Sequence, residues 1–364
     1  MALFAHKPNA EAVLERLRAL YARRSPDRIF AAFNIPSPAV AEFKQRHAEG
    51  PCGYPDPAER FRFWDRFLAE RAALEDDSIP GAYLSEFDQG LYGGVLGGEV
   101  RFNCNPDTGW ISSMVFPLLT GWSGFSRLRL DPGHEWFGRY ARQLEVFAEG
   151  ARGRFGISHF ILINGLNFVF ELLGATDTYL SLIEEPDMVR RAMELGFQVN
   201  VEVQKRFFAG VGLAAGGTCG LGVQWLPGRI VAESVDPFHM TSVEYFEEWG
   251  RGISERIMAE FDGGTTHLHG NGRHLLEAVC SMKGLKAVML GDDKGFPPAI
   301  EVLGELRKRA GDMPLTVNVG FADFTGRLGR GGLPGGVLYQ VSGAPDAAAA
   351  NRCMEQVRAY RTHS

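Results

Sequence analysis

The chain has 364 residues, 45% of them hydrophobic and 23% charged, an ordinary globular composition with room for one large barrel or two modest domains. Its net charge of −6 comes with no basic block, which removes the electrostatic case for nucleic acid or an anionic membrane surface. Cys52, Cys104, Cys219, Cys280 and Cys353 form no C-x-x-C pair, so reduced thiols are expected rather than a secreted disulfide framework. With no apolar run near the roughly 18 residues of a membrane span and no signal-peptide core, a soluble cytoplasmic protein is expected.

Residues 1–75 read as helical, with Leu14, Leu17, Leu20 and Tyr21 on one face, and are expected to cap a body spanning 76–364. Arg28–Phe33 and Ala82–Ser85 are strand candidates, and 93–115 reads as a β-ribbon inserted over one end. Phe160–Ile163 reads as a buried strand. Asp187–Phe208 follows as a long helix with Val189, Ala192, Leu195, Val199 and Val203 at helical spacing. Val211–Thr218 is a glycine-rich strand candidate, and Ser242 caps a helix that runs to Phe261. The rhythm then tightens, with strands at 264–269, 285–290, 315–319 and 336–341 and helices at 272–282, 297–310 and 346–361. A glycine-rich loop is expected between the last two strands. Glycine clusters at the ends of apolar runs, as short loops between alternating elements require. About eight strands, most followed by a helix, point to one α/β domain, a (β/α)8 TIM barrel.

In such a barrel the chemistry sits at the C-terminal ends of the strands. His267 and His269 are two residues apart on a strand and so share a face, just before the Gly270-Asn271-Gly272 turn. Two imidazoles aimed at one point are half of a metal site for a divalent ion such as zinc. Gly291-Asp292-Asp293 ends the next strand, and Asp292 is read as a third ligand or a general acid/base, with Asp293 as a helix cap. Cys219 is either a further ligand or a small buried filler. Asp236 and His239, in a long aromatic loop, and Tyr339 are read as catalytic groups. Asn164, Trp225 and Arg273 are read as substrate-binding, Trp225 by stacking. Arg101, Arg229 and Arg273 are the cationic candidates for a substrate carboxylate. Residues 216–222 are glycine-rich but lack both G-x-G-x-x-G and a Lys-Ser/Thr ending, so no nucleotide site is expected.

Four stretches, in this order, carry a family resemblance: Leu182-Ile183-Glu184-Glu185-Pro186-Asp187-Met188-Val189, Ser234-Val235-Asp236 with Met240–Phe246, His267–Asn271, and Gly336-Val337-Leu338-Tyr339. From Leu172 onward the chain resembles the uroporphyrinogen decarboxylase superfamily. That superfamily includes the decarboxylase itself, corrinoid-dependent methyltransferases and, more distantly, cobalamin-independent methionine synthase. The decarboxylases' N-terminal Arg-Gln-Ala-Gly-Arg run has no counterpart, since the equivalent region reads Ala32-Phe33-Asn34-Ile35-Pro36-Ser37-Pro38. The resemblance is therefore nearer the methyltransferases, which carry His-x-Cys on this strand and a second cysteine near the last one. Here His267 matches the histidine, His269 stands at the first cysteine, and Tyr339-Gln340-Val341-Ser342 offers no second. The resemblance implies metal-assisted methyl transfer or demethylation of a small molecule, with a corrinoid protein as partner. Two histidines and an oxygen ligand make a harder, more Lewis-acidic ion than a thiolate set. A decarboxylase or lyase acting on a carboxylated small molecule and a non-catalytic binding barrel stand as alternatives, and a homodimer is left open.

Overall fold

The computed structural model of the chain describes residues 3–158 and 160–362. Its strands, in chain order, are β1 (Ile29–Phe33), β2 (Gly50–Cys52), β3 (Gly81–Tyr83), β4 (Val100–Asn105), β5 (Trp110–Val115), β6 (Gly156–Ser158), β7 (Gly217–Gly220), β8 (Gln224–Pro227), β9 (Val231–Ser234), β10 (Gly264–Leu268), β11 (Leu285–Leu290), β12 (Leu315–Gly320) and β13 (Val337–Ser342). Six of them form a central, wholly parallel sheet in the order β1-β13-β12-β11-β10-β9. A second sheet runs β3-β6-β7-β8, with only the β7–β8 pair antiparallel. The expected ribbon is present as the antiparallel β4–β5 pair, with β2 added at its edge.

Side-chain alternation divides the core. Ile29, Ala31 and Phe33 of β1 and Val337, Tyr339 and Val341 of β13 face the helices in one large cluster. The intervening Phe30, Ala32 and Leu338 face the other way. There they meet Val223 and Trp225 from the β7–β8 hairpin and Leu14 and Leu17 of the helix Ala10–Tyr21. The hairpin tip enters so closely that a Cβ on Gly222, which sits at φ +78°, would lie 2.3 Å from Met289 Sδ. The large cluster joins Phe43 and Trp64 from the first 75 residues to Met354 near the C-terminus, and β1 pairs with the last strand.

Acidic side chains close the free edge of β1. Asp77 N donates to Ala31 O at 2.8 Å, while Phe33 N and Ala31 N donate to the carboxylates of Asp76 and Asp77 at 2.7 and 3.0 Å. Burying those charges is tolerable because each has a cation, Lys7 at 2.7 Å and Arg16 at 2.6 Å. At the opposite edge Leu162 N donates to Ala232 O of β9 at 2.8 Å.

Three expectations are corrected. The strand placed at 160–163 ends at Ser158. The apolar run beyond is buried but bonds to Ala232 and to the Asn200 side chain instead of extending a ladder. The helix Pro186–Val211 runs through the predicted start of the 211–218 strand and stops at Gly212, φ +68°. The glycine-rich segment after β12 contains the helix Phe321–Gly329, whose buried Phe324 and Leu328 pack while its glycines do not break it. No helix among the described residues is long and apolar enough to cross a membrane.

Candidate metal centre and active site

The parallel register aligns the C-terminal ends of β9 and β10, with Ser234 opposite His267. Two residues beyond Ser234, Asp236 enters a tight helical turn, Asp236–Met240, that also carries His239. His267 and His269 lie on one side of their strand, ring centroids 5.2 Å apart, while Leu268 between them is buried among the helices. His267 Nε2 is 2.9 Å from Asp236 Oδ1 and 3.2 Å from Oδ2, aligned for a hydrogen bond to Oδ2 alone. His239 Nδ1 and His269 Nε2 stand 3.7 and 3.9 Å from the same Oδ1. Asp236 Oδ1 is thus buried, without a hydrogen-bond partner, and faced by three imidazole nitrogens. A buried acceptor and convergent lone pairs are what a divalent cation satisfies. The ligand atoms of Asp236, His267 and His269 all lie within 4.8 Å of one another.

Neighbouring groups fix that arrangement. Asp293 Oδ1 is 2.9 Å from His269 Nδ1, and its other oxygen accepts from Gly270 N at 2.6 Å. With Asp293 holding the Nδ1 proton, Nε2 keeps its lone pair toward Asp236. The His239 ring fits only because residue 272 is glycine, since a Cβ there would lie 2.1 Å from its Cδ2. Burial lowers the His239 pKa to about 4 despite the attraction of Asp236, so the ring is neutral. Burial works against the charge of Asp236, but the hydrogen bond and field of His267, with His239 and His269 beside it, hold its carboxyl below the ordinary value.

Glu233 and Asp88 lie within the field of His267, and Glu171 within that of Asp88. Burial raises Glu233 to about 7, although Asn164 Nδ2 donates to it at 3.1 Å. Burial likewise raises Asp88 to about 7, and burial plus the field of Asp88 raises Glu171 to about 8. Glu233 and His267 share a small void of about 30 Å³ with Tyr83, Thr266 and Met289. Tyr83 and Leu221 separate that void from a cavity of about 460 Å³ beside β1. Groups that exchange protons near neutrality thus flank a convergent donor set.

The structure gathers some of the sequence-selected residues and disperses others. Asp236, His239, His267 and His269 come together, and Asn164 reaches them through Glu233. Asp292 does not join them, because its Oδ1 accepts from Ala299 N at 2.6 Å and from Arg273. Asp293, read as a cap, holds His269 instead. Arg273 is a tie rather than a substrate group, since it donates to the carbonyls of Pro297 and Gly291. Cys219 is buried in the second core cluster, its thiol pushed up to about 12 by burial, so it offers no thiolate. Trp225 is fully buried, with Nε1 donating to Ala214 O at 2.7 Å, and stacks on no substrate. Tyr339 is on the helix-facing side of β13 and donates to Pro334 O at 2.8 Å. Arg101 and Arg229 pair with Glu99 and Asp262. Sequence reasoning missed Glu233, and no local pattern marks it.

No family model matches the sequence, and no curated protein matches it. By structure the chain is similar to a methyltransferase from Methanosarcina mazei, with a TM-score of 0.61 at 12% identity over 98% of this chain and 99% of that one. At that identity the shared property is the fold.

Proposed function

We propose that this chain is a metal-dependent methyltransferase resembling the corrinoid-dependent branch of the uroporphyrinogen decarboxylase superfamily. It would move a methyl group between a small molecule and a corrinoid carried by a partner protein. The observation that carries the proposal is the convergence of Asp236 Oδ1, His267 Nε2 and His269 Nε2. The likeness over nearly the whole of both chains to a protein described as a methyltransferase supports it. With it goes a closed (β/α)8 barrel made of β1, β3, β6 and β9 to β13, for which the β1–β13 ladder and the bonds Asp77 N to Ala31 O and Leu162 N to Ala232 O are the support.

Asp236, His267 and His269 would hold the ion, zinc being well matched to a nitrogen-and-oxygen set. When bound, such an ion supplies Lewis acidity toward the heteroatom that gives or takes the methyl group. The protein's own groups act around it. Asp293 keeps the Nδ1 proton of His269, neutral His239 adds no repelling charge, and the carboxyls of Glu233 and Asp88 take up or release the proton that the heteroatom loses or gains. Leu221, Val223 and Met289 line the small void beside His267.

The test is a single-turnover absorbance assay on zinc-loaded protein, with cob(I)alamin and a panel of methoxylated and methylated small molecules, or methylcobalamin and thiols. Stoichiometric interconversion of cob(I)alamin and methylcobalamin, lost in His267→Ala, is expected. No conversion with any donor or acceptor, or undiminished conversion in His267→Ala, would refute the proposal.

A further inference from the structure

The cavity of about 460 Å³ lies where Asp76 and Asp77, not a strand ladder, close the edge of β1. Its walls include Asn34, Arg71, Trp64, Trp110, Tyr83 and Gln340. Arg71 enters it as the sole arginine of the lining. One guanidinium nitrogen donates to Asn34 Oδ1 at 3.1 Å and another to Phe33 O at 2.5 Å. A guanidinium has five N–H groups, and among the described residues the others have no protein acceptor. Nor does any carboxylate of the described residues lie within ion-pair distance. Asp76 attracts it from farther off but is already held by Lys7 at 2.7 Å. Burial lowers the Arg71 pKa, which marks a charge that its surroundings solvate poorly. A second donor is also unmet, for Trp64 Nε1 is buried there without an acceptor.

A half-buried cation with N–H groups that no protein acceptor takes gains from an oxyanion, and its planar fork fits a carboxylate through two parallel bonds. From Arg71 the walls lead inward over Trp110 and Tyr83, whose rings are 5.0 Å apart. Tyr83 also borders the void that holds His267. We propose that Arg71 seats the carboxylate of a small organic acid whose apolar or aromatic body lies along Trp110 and Tyr83, pointing toward His267. That this acid is the methyl donor or acceptor rests on the function proposed above; the binding site itself does not.

Calorimetric titration of the full-length protein with benzoate, its neutral isostere benzamide, and benzenesulfonate tests this, with and without zinc. Benzoate is expected to bind at least about tenfold more tightly than benzamide, the scale of one charge-assisted bond pair. Arg71→Met should remove that preference, Arg71→Lys should keep part of it, and Arg101→Met should leave it intact. Weaker binding of benzenesulfonate than of benzoate supports a planar carboxylate seat, and the reverse order overturns that choice of anion. Equal affinity for benzoate and benzamide, no benzoate binding at about 10 mM, or unchanged binding in both Arg71 variants would overturn the proposal. Zinc-free protein should bind benzoate as well, and Arg71→Met should still bind zinc. A failure of the methyl-transfer reading would therefore not be mistaken for a failure of this one.

Discussion

Replacing Asp293 by alanine separates two neighbouring carboxylates that the sequence does not distinguish. Asp293 accepts from His269 Nδ1 at 2.9 Å and from Gly270 N at 2.6 Å, so Asp293→Ala frees the ring to rotate and to place its proton on either nitrogen. The Nε2 lone pair that stands 3.9 Å from Asp236 Oδ1 is then no longer held in place. Loss of such an orienting carboxylate weakens metal affinity about 10- to 100-fold, or about 1.4 to 2.7 kcal/mol. Its effect on stability should be smaller, about 1 kcal/mol, because the Asp293 side chain is 30% exposed and water can replace its bonds. Asp292→Ala should do the opposite, costing about 1 to 2 kcal/mol through the orphaned Ala299 N while leaving zinc affinity unchanged. Competition of each variant against a chromophoric zinc chelator, paired with urea unfolding, reads both quantities. Zinc affinity unchanged in Asp293→Ala but reduced in Asp292→Ala would refute the reasoning.

Glu171 gives a pH dependence. Burial raises its folded-state pKa from 4.5 to about 8, so the folded protein holds this proton more tightly than the unfolded chain does. Stability should fall as pH rises through that window, and Glu171→Gln should flatten the decline in urea midpoints measured from pH 5 to 9; a parallel decline would count against it. Lys7→Met leaves Asp76 charged and buried against β1, and unfolding should show a loss of about 3 to 5 kcal/mol; a loss under about 1 kcal/mol would mean the pair is not needed. Cys219→Ala and Tyr339→Phe should each cost about 1 kcal/mol in stability and leave zinc stoichiometry unchanged, and metal loss in either would return that residue to the centre.

The later strands were legible because their apolar runs are short and bounded by glycine, so β10 to β13 fall within a residue or two of their expected places. The shared face of His267 and His269 was legible for the same reason, since alternation along a strand fixes it. The rest of the centre depends on what the chain brings from afar. Whether Asp292 or Asp293 turns toward His269 is settled by which one finds Ala299 N, a choice made by tertiary geometry. Tyr339 was misread because its face depends on register, and one residue's shift along β13 exchanges it with Gln340. Cys219 and Trp225 looked chemical in a glycine-rich stretch, but the hairpin that carries them plugs the inner face of the sheet. Arg71 had no local signature, for its proposed role comes from having two neutral oxygen partners and, among the described residues, no carboxylate at ion-pair distance.

X-ray absorption at the zinc edge of stoichiometrically loaded protein tests the central claim most directly. The account predicts a first shell of nitrogen and oxygen only, with imidazole scattering from two histidines at about 2.0 to 2.1 Å. That scattering should fall to one imidazole in His269→Ala. A sulfur shell at about 2.3 Å, or spectra identical in wild type and His269→Ala, would contradict it.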